Sequence, residues 1–256
     1  MDKYREGEVT GNIYGFISKG IAKTQEEMDA HLASLPNGGQ SEIAGTWYAG
    51  DMMYVDVDGD GKISKGANTR DNCGDLVVIG NQTPRYRFGL SLDAAWKGFD
   101  VQMFFQGVLK RDYYLNNMMF FGFTGGGEWW STYLKPHLDY WRDENSPLGP
   151  NPDAYYARPY RSGTNARKNQ DTPQTRYLQD ASYMRLKNLT IGYTLPRVLT
   201  QKLGIEKVRV YASGENLWTL SHIKDNLMDP EQVGIGSYGA SYPLSQTYAF
   251  GLSVTF

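Results

Sequence analysis

The stretch SQTYAFGLSVTF, residues 245–256, decides the fold class of this chain. Large apolar side chains occupy its alternate positions, namely Tyr248, Phe250, Leu252, Val254 and Phe256. Small or polar residues occupy the positions between them. Alternation with a period of two predicts a β-strand that has one apolar and one polar face. A soluble sheet would bury the apolar face beneath a second layer, whereas a membrane barrel would turn it toward lipid.

A hairpin over residues 84–108 repeats this pattern at greater length. Apolar side chains share one face of its first strand, namely Tyr86, Phe88, Leu90, Leu92, Ala94 and Trp96. Arg85 and Arg87 lie on the opposite face, Lys97 and Gly98 form a tight turn, and the alternation then resumes. Each strand is predicted to run for about ten residues or more, which is long for a globular sheet but suits a membrane crossing.

The connections between strands support the membrane interpretation. Five strands are predicted, at about 84–96, 99–108, 177–195, 206–219 and 245–256. Long loops at 109–176 and 220–243 alternate with short connections at 97–98 and 196–205. Short connections at one end of the strands and long loops at the other are typical of an outer-membrane barrel, and a β-sandwich has no reason to keep this order.

Residues 1–83 are predicted to form an extracellular loop region, within which residues 11–22 are predicted to form a short strand punctuated by glycine. Thr24 and Glu27 have the spacing of a helical capping box. Met28 and Leu32 then recur at a helical interval, so one short helix is expected here.

Residues 56–64, DVDGDGKIS, match the first half of a calcium-binding loop. Ca²⁺ prefers six or more oxygen ligands, and a glycine at the sixth position lets such a loop wrap sharply around the ion. The acid expected at the twelfth position is absent, because Ala67 stands there. Asp71 or Asp75 would replace it only after an inserted excursion of the chain.

The predicted ligands combine carboxylates, one backbone carbonyl and one hydroxyl. They are Asp56, Asp58, Asp60, Lys62 through its carbonyl, Ser64 through its hydroxyl or a water, and Asp75. A bound Ca²⁺ would staple a long loop. The alternative is an Asp/Gly turn that binds no metal.

Composition argues against several classes of function. The net charge of −2 gives no electrostatic reason to expect nucleic acid as a partner. Cys73 is the only cysteine, so no disulfide framework exists, and it is read as an incidental thiol. His31, His137 and His222 lack the spacing of metal ligands, and no carboxylate pair is fixed at catalytic separation. We therefore predict neither an enzyme nor a redox cofactor.

Six segments, in order along the chain, carry a resemblance to one family. They are residues 11–30, 56–64, 75–107, 177–196, 202–218 and 247–256. On these segments the sequence resembles the C-terminal part of the SusC/RagA class of TonB-dependent outer-membrane transporters of Bacteroidetes. The excursion at 65–74 departs from the family pattern, which closes this loop more tightly before the acid that corresponds to Asp75.

The resemblance implies an all-β fold of antiparallel strands from a large transmembrane barrel of roughly 22 strands, with long extracellular loops and one or two short helices. Five strands form only part of such a barrel, so the chain is expected to be a C-terminal portion, residues 84–256 being barrel strands. The polar N-terminus lacks the apolar segment of a signal peptide, which fits that expectation.

The resemblance also implies partners and a location. It implies an importer of glycans or peptides in the cell outer membrane, a SusD-like surface lipoprotein, and energy from TonB through a part absent from this chain. The aromatic residues of the long loops would then help to form a substrate vestibule, namely Trp129, Trp130, Trp141, Tyr155 and Tyr156. The alternative for each of them is that its ring packs the loop against itself. The alternative is a soluble, calcium-stapled β-sandwich that binds glycans.

Overall fold

A computed structural model describes residues 7–122, 133–160, 167–235, 242 and 244–256 of the chain. Within these residues no helix has both the length and the apolar character needed to cross a membrane. The described strands, in chain order, are β1 Asn12–Gly15, β2 Ser18–Ile21, β3 Met52–Tyr54, β4 Val77–Asn81, β5 Arg85–Trp96, β6 Phe99–Lys110, β7 Asp112–Tyr114, β8 Leu178–Asp180, β9 Tyr183–Thr194, β10 Lys207–Ser221 and β11 Thr247–Thr255.

Helices are few and short in the part of the chain that the structure describes. They are α1 Gln25–Ala33, α2 Met118–Phe121 and α3 Arg197–Thr200, with 3-10 turns at Lys135–Leu138, Gln201–Leu203 and Lys224–Asn226. The hydroxyl of Thr24 accepts a hydrogen bond from the amide of Glu27 at the start of α1, as the capping pattern predicts. The Glu27 carboxylate accepts instead from the amide of Lys23, one residue earlier than a capping box requires.

The chain divides into two compact units. The first, here named the loop unit, comprises Met1–Thr83, Asp112–Asp180 and Val233–Ser241. The second, the sheet unit, comprises Pro84–Arg111, Ala181–Gln232 and Tyr242–Phe256.

The sheet unit is built on one antiparallel sheet of five strands in the order β11-β10-β9-β6-β5. Strands β5 and β6 are joined by a two-residue turn in which Lys97 and Gly98 both have positive φ, of 48° and 91°. Two positive φ values are the signature of a hairpin turn whose twist matches that of the flanking strands. The expected fold class, antiparallel strands of a partial barrel, is confirmed.

Strand β9 differs from its prediction in two respects. The predicted strand over 177–195 is interrupted after Asp180, because β8 pairs with β7 and the amide of Ala181 donates to the carbonyl of Arg111. Within β9, Lys187 is an extra residue relative to β6. Such a bulge reverses the alternation of faces, so residues before and after it follow opposite parity.

The loop unit has a hydrophobic core of its own, although the sequence predicted loops for most of it. Its described strands form three two-stranded sheets, β1-β4, β2-β3 and β7-β8. Its most buried members are Phe16, Met28, Met52, Tyr54, Ile63 and Leu76. These side chains come from many short segments punctuated by glycine, so no single segment is long enough to show a clear period.

Candidate functional site

The apolar face of the five-stranded sheet is exposed. Phe250 and Phe256 are 86% and 87% exposed, and Trp96 at the far edge of the sheet is 69% exposed. Other large apolar side chains of this face are also exposed, namely Leu90, Leu92, Phe99, Ile191, Val210, Trp218, Leu220, Tyr248, Leu252 and Val254. A soluble protein rarely leaves so continuous an apolar surface open to water.

Aromatic side chains concentrate toward the two ends of this face, although Phe250 lies in a middle row, opposite Ala212. Trp96, Phe99 and Tyr193 lie beside the short turns, and the rings of Phe99 and Tyr193 are 4.5 Å apart. Trp218 and Tyr248 lie nearer the opposite ends of their strands. Aliphatic residues lie between these two levels, as Leu92, Met103, Leu189 and Ala212 do. Two aromatic girdles around an aliphatic band are the pattern of a lipid-facing barrel wall.

The polar face of the sheet carries ion pairs. Arg209 of β10 reaches across β9 to Asp100 of β6, with Nε 3.0 Å from Oδ1 and Nη2 2.5 Å from Oδ2. Gly192 of β9 lies under this bridge, since a Cβ there would stand 2.5 Å from Nη2 of Arg209. Glycine at 192 therefore makes room for a three-strand contact that sequence patterns do not reveal.

A second charged cluster lies on the same face, toward the other ends of the strands. The Arg185 guanidinium donates to Asp229 at 2.7 Å, to Glu231 at 2.5 Å and to the hydroxyl of Thr219 at 2.8 Å. Lys187 contacts Glu231 at 3.1 Å. Sequence analysis missed this cluster, because its acidic and basic members are about forty residues apart and follow no motif.

The Asp/Gly loop brings three carboxylates together. Ligand atoms of Asp56, Asp58 and Asp75 all lie within 4.8 Å of one another. The excursion at 65–74 returns the chain to Ser64, whose carbonyl accepts from the amide of Asp75 at 3.0 Å. Asp75 is thereby brought beside Asp56 and Asp58, although it lies beyond the twelfth position of the loop.

Asp75 is the organising residue of this cluster. Its Oδ1 accepts from the amide of Val57 at 2.6 Å, and its Oδ2 accepts from the amide of Ser64 at 2.8 Å. Burial raises the pKa of the Asp75 carboxyl, the hydrogen bonds from backbone amides oppose that rise, and the charge of Asp58 adds to it. A divalent cation would relieve both the burial cost and the repulsion, so the donor set fits Ca²⁺.

Asp60, Lys62 and Ser64, the predicted calcium ligands outside this cluster, have other partners in this structure. The carboxylate of Asp60 accepts from the amide of Lys62, and the ammonium group of Lys62 pairs with Glu42. The hydroxyl of Ser64 accepts from the amide of Gly66 at 3.2 Å. Asp56 accepts from the amides of Gly59 and Gly61, as the first acid of a wrapped loop does.

The predicted vestibule residues do not form one exposed surface. Trp129 and Trp130 lie outside the described residues. Trp141 is buried, and a Cβ at Gly50 would stand 2.5 Å from its ring. Tyr156 is also buried, within a group of rings that includes Phe120, Phe121, His137 and Tyr177. Both rings therefore pack the loop unit and offer no face to a substrate, which corrects the prediction for them.

Tyr155 is half-buried and is fixed by hydrogen bonds. Its hydroxyl donates to the carbonyl of Arg176 at 3.4 Å and accepts from Gln179 at 3.1 Å. The guanidinium of Arg176 donates in turn to the carbonyls of Tyr155 and Ala154. Its surroundings indicate a structural role in the loop unit.

A buried ion pair joins two distant segments of the loop unit. Nζ of Lys168 lies 2.5 Å from Oδ2 of Asp51, and both side chains are fully buried. Nζ also lies 4.4 Å from the ring centre of Tyr160 and 4.9 Å from that of Trp47. Burial lowers the pKa of the Lys168 ammonium, and the Asp51 carboxylate opposes that shift. Asp51 also accepts from Asn169, so the pair is well satisfied.

Two curated proteins are similar in sequence to this chain over nearly its whole length. The chain is 31% identical over 263 residues to TonB-dependent receptor P3 of Formosa agariphila and 30% identical over 260 residues to TonB-dependent receptor P26 of the same organism. Each comparison covers 98% of this chain and 23% of the relative. The chain is homologous to TonB-dependent receptors. It spans about a quarter of the length of these relatives.

Solved structures agree on the fold. The structure of the RagAB peptide transporter matches with a TM-score of 0.59 and 24% identity, over 96% of this chain and 23% of that chain. The RagAB peptide importer in its open-open state matches with a TM-score of 0.59 and 23% identity, over 100% of this chain and 24% of that chain. No protein-family model matches the sequence. The predicted relation to TonB-dependent receptors is confirmed by these relatives, and the RagAB structures agree on the fold.

Proposed function

We propose that this chain forms part of the wall of a TonB-dependent importer in the outer membrane. The observation that carries the proposal is the exposed apolar face of the five-stranded sheet, with aromatic side chains concentrated toward both ends of the strands. Five strands are fewer than the roughly eight of the smallest usual barrel, so the wall is completed by further strands. The role is one of transport and not of catalysis.

A lipid-contact experiment tests this proposal. Trp96 and Trp218 are exposed on the apolar face, whereas Trp47 and Trp141 are buried in the loop unit. In membranes that contain brominated lipid, we expect tryptophan fluorescence to be quenched. The matched control is the Trp96→Phe, Trp218→Phe double variant, in which most of the quenching should disappear. Equal quenching of both proteins, or none of either, would contradict the proposal.

Behaviour without detergent gives a second test. The proposed barrel wall should aggregate in detergent-free buffer, because its apolar face then meets water. The alternative, a soluble glycan-binding β-sandwich, would be a monodisperse monomer that melts cooperatively without detergent. That result would favour the sandwich, although the exposed aromatic face is the opposite of what a sandwich core requires.

Partners and substrate follow from the family resemblance. We infer a SusD-like surface lipoprotein as the partner, TonB as the energy source acting through a part of the receptor outside this chain, and a glycan or peptide as the substrate. RagAB is described as a peptide transporter, which supports a peptide for that protein. Uptake assays with labelled peptides and oligosaccharides, in cells with and without TonB, test the inference. Uptake that is independent of TonB would oppose it.

We also propose that Asp56, Asp58 and Asp75 hold a structural Ca²⁺, with Asp60, the Lys62 carbonyl and Ser64 completing its ligands. Convergence of three carboxylates around a buried Asp75 supports this. The expected result is a higher melting temperature in Ca²⁺ than in chelator, and loss of that difference in Asp75→Asn. Asp71→Asn, a carboxylate of the same excursion but outside the cluster, is the matched control. A Ca²⁺ effect that survives Asp75→Asn would place the ion elsewhere.

A further inference from the structure

The segment Ile223–Gln232 follows β10 and is tied to the polar face of the sheet. Two of its three acids, Asp229 and Glu231, contact the guanidinium of Arg185, and the third, Asp225, pairs with Lys224 of the same segment. Glu231 also accepts from the side-chain amide of Gln106 at 3.4 Å. The side chain of Arg185 is only 3% exposed, so the contact is covered from water as well as paired.

The strand register fixes which face the segment covers. Arg185 stands opposite Gln106 of β6 and opposite Thr219 of β10, so the three residues form one row across three strands. The bulge at Lys187 moves Arg185 and Lys187 to the polar side, away from the apolar face that carries Leu189 and Ile191. All of the segment's polar anchors thus belong to a single face.

The charges of this cluster balance. Arg185 and Lys187 provide two cations, and Asp229 and Glu231 provide two carboxylates. Glu231 bridges both cations, at 2.5 Å from Arg185 and 3.1 Å from Lys187. Without the segment, this level of the polar face would present two neighbouring cations to any solute beside it.

We propose that Ile223–Gln232 is an inner strap of the bore, and that its Asp229 and Glu231 cap Arg185 and Lys187. The strap narrows the passage along the polar face at this level and keeps it electrically neutral. The narrowed passage therefore excludes solutes that are too large for it. Because Arg185 and Lys187 are neutralised, the bore does not attract anions at this level. This inference rests on the proposed barrel wall, in which the polar face lines the bore.

Cysteine labelling in isolated outer membranes tests the strap. Cys73→Ser first removes the native thiol, and Gln106→Cys then places a thiol beneath Glu231. Gln102→Cys is the matched control, because it lies on the same face of β6 four residues away. We expect Gln106→Cys to react slowly with a thiol reagent, and Arg185→Gln to raise its rate about tenfold with little change at Gln102→Cys.

Thiol reagents of opposite charge distinguish the two roles of the strap, which are to cover Gln106 and to neutralise Arg185 and Lys187. In the Asp229→Asn, Glu231→Gln variant, a negatively charged thiol reagent should gain more speed at Gln106→Cys than a positively charged reagent does. Equal gains would overturn the neutralising role and leave only the narrowing one. Unchanged rates for both reagents would overturn the strap altogether.

Hydrogen exchange distinguishes failure of the strap from failure of the barrel wall. In Arg185→Gln, amides of residues 223–232 should exchange about tenfold faster while amides of β9 stay protected. Exchange that does not change in residues 223–232 contradicts the strap alone. Exchange that is fast throughout β9 in the unsubstituted, membrane-inserted protein contradicts the proposed function itself.

Discussion

The two units of this chain treat their largest side chains in opposite ways. The sheet unit exposes Phe250 and Phe256 almost completely, whereas the loop unit buries Phe16, Tyr54 and Phe120 almost completely. Both units are rich in aromatic residues, and both contain antiparallel strands. Hydrophobicity alone therefore does not tell which side chains form a core, and the surrounding solvent has to be known as well.

Charged groups show the same contrast. In the loop unit, Lys168 and Asp51 form a fully buried pair inside a protein core. In the sheet unit, Arg185 and Arg209 form their ion pairs on the polar face. A barrel wall has its water on the polar side and its lipid on the apolar side, whereas the loop unit has the usual order of an apolar centre and a polar surface.

The largest expected effect concerns the core of the loop unit. Asp51→Asn leaves the buried Lys168 without a counter-charge, so we expect the free energy of unfolding to fall by about 3–5 kcal/mol. Urea unfolding followed by tryptophan fluorescence measures the change. Lys23→Ala, which removes the exposed pair with Asp153, is the control and should leave stability unchanged. Equal effects of both substitutions would show that the loop unit has no true core there.

Neighbouring residues of β11 test the lipid-facing side. Phe250→Arg places a charge on the apolar face, and we expect it to cost about 2–4 kcal/mol in lipid. Ala249→Arg places the same charge on the polar face and should cost much less. Urea unfolding from lipid vesicles measures both. If the two substitutions lower the free energy of unfolding equally, both faces of β11 meet water. The sheet unit would then not differ from the loop unit in the solvent that surrounds its apolar side chains.

A smaller effect is expected at Gly192. Gly192→Ala would push the guanidinium of Arg209 from Asp100 and weaken the bridge across β9. We expect a modest loss of stability in the membrane-inserted protein. The same substitution in an Arg209→Ala background should then have almost no effect, since the bridge is already absent. An undiminished effect in that background would assign the cost to the backbone of β9.

The smallest expected effect on stability is the pH dependence that two buried histidines of the loop unit, His31 and His137, contribute. Burial lowers the pKa of His31 and of His137 below 6.5, and both rings are hydrogen-bonded, to Gln40 and to the carbonyl of Met119. The unfolded chain therefore takes up protons first as the pH falls below about 6.5. Stability is fully present above that pH and declines below it, as melting curves between pH 7 and pH 5 would record.

Substitution of one histidine tests the assignment. His31→Gln keeps a polar side chain in the pocket, and we expect it to flatten the decline in melting temperature between pH 7 and pH 5. An unaltered pH dependence would mean that His31 is not the titrating group. His137→Gln provides the matching comparison at the second buried histidine.

Sequence reasoning was most successful where a period is long and uninterrupted. The strands at 84–96, 99–108 and 245–256 were predicted within two residues of their bounds in β5, β6 and β11. For the Asp/Gly loop, the sequence left Asp71 and Asp75 open as the later acid; the structure groups Asp75 with Asp56 and Asp58, and metal binding there stays a prediction. Sequence reasoning was least successful for Trp141 and Tyr156, because an aromatic residue in a long loop looks the same whether it packs or binds.

The sequence by itself determined the five long strands and the apolar side of each, because alternation with a period of two is a local property of the chain. It also determined the kinship with TonB-dependent receptors, because the matching segments occur in a specific order. Only the tertiary structure decided which charges meet. The strap on Arg185, the bridge over Gly192 and the core around Lys168 each join residues far apart in the sequence. Such contacts depend on strand register and on bulges, which a one-residue shift would change and which composition does not encode.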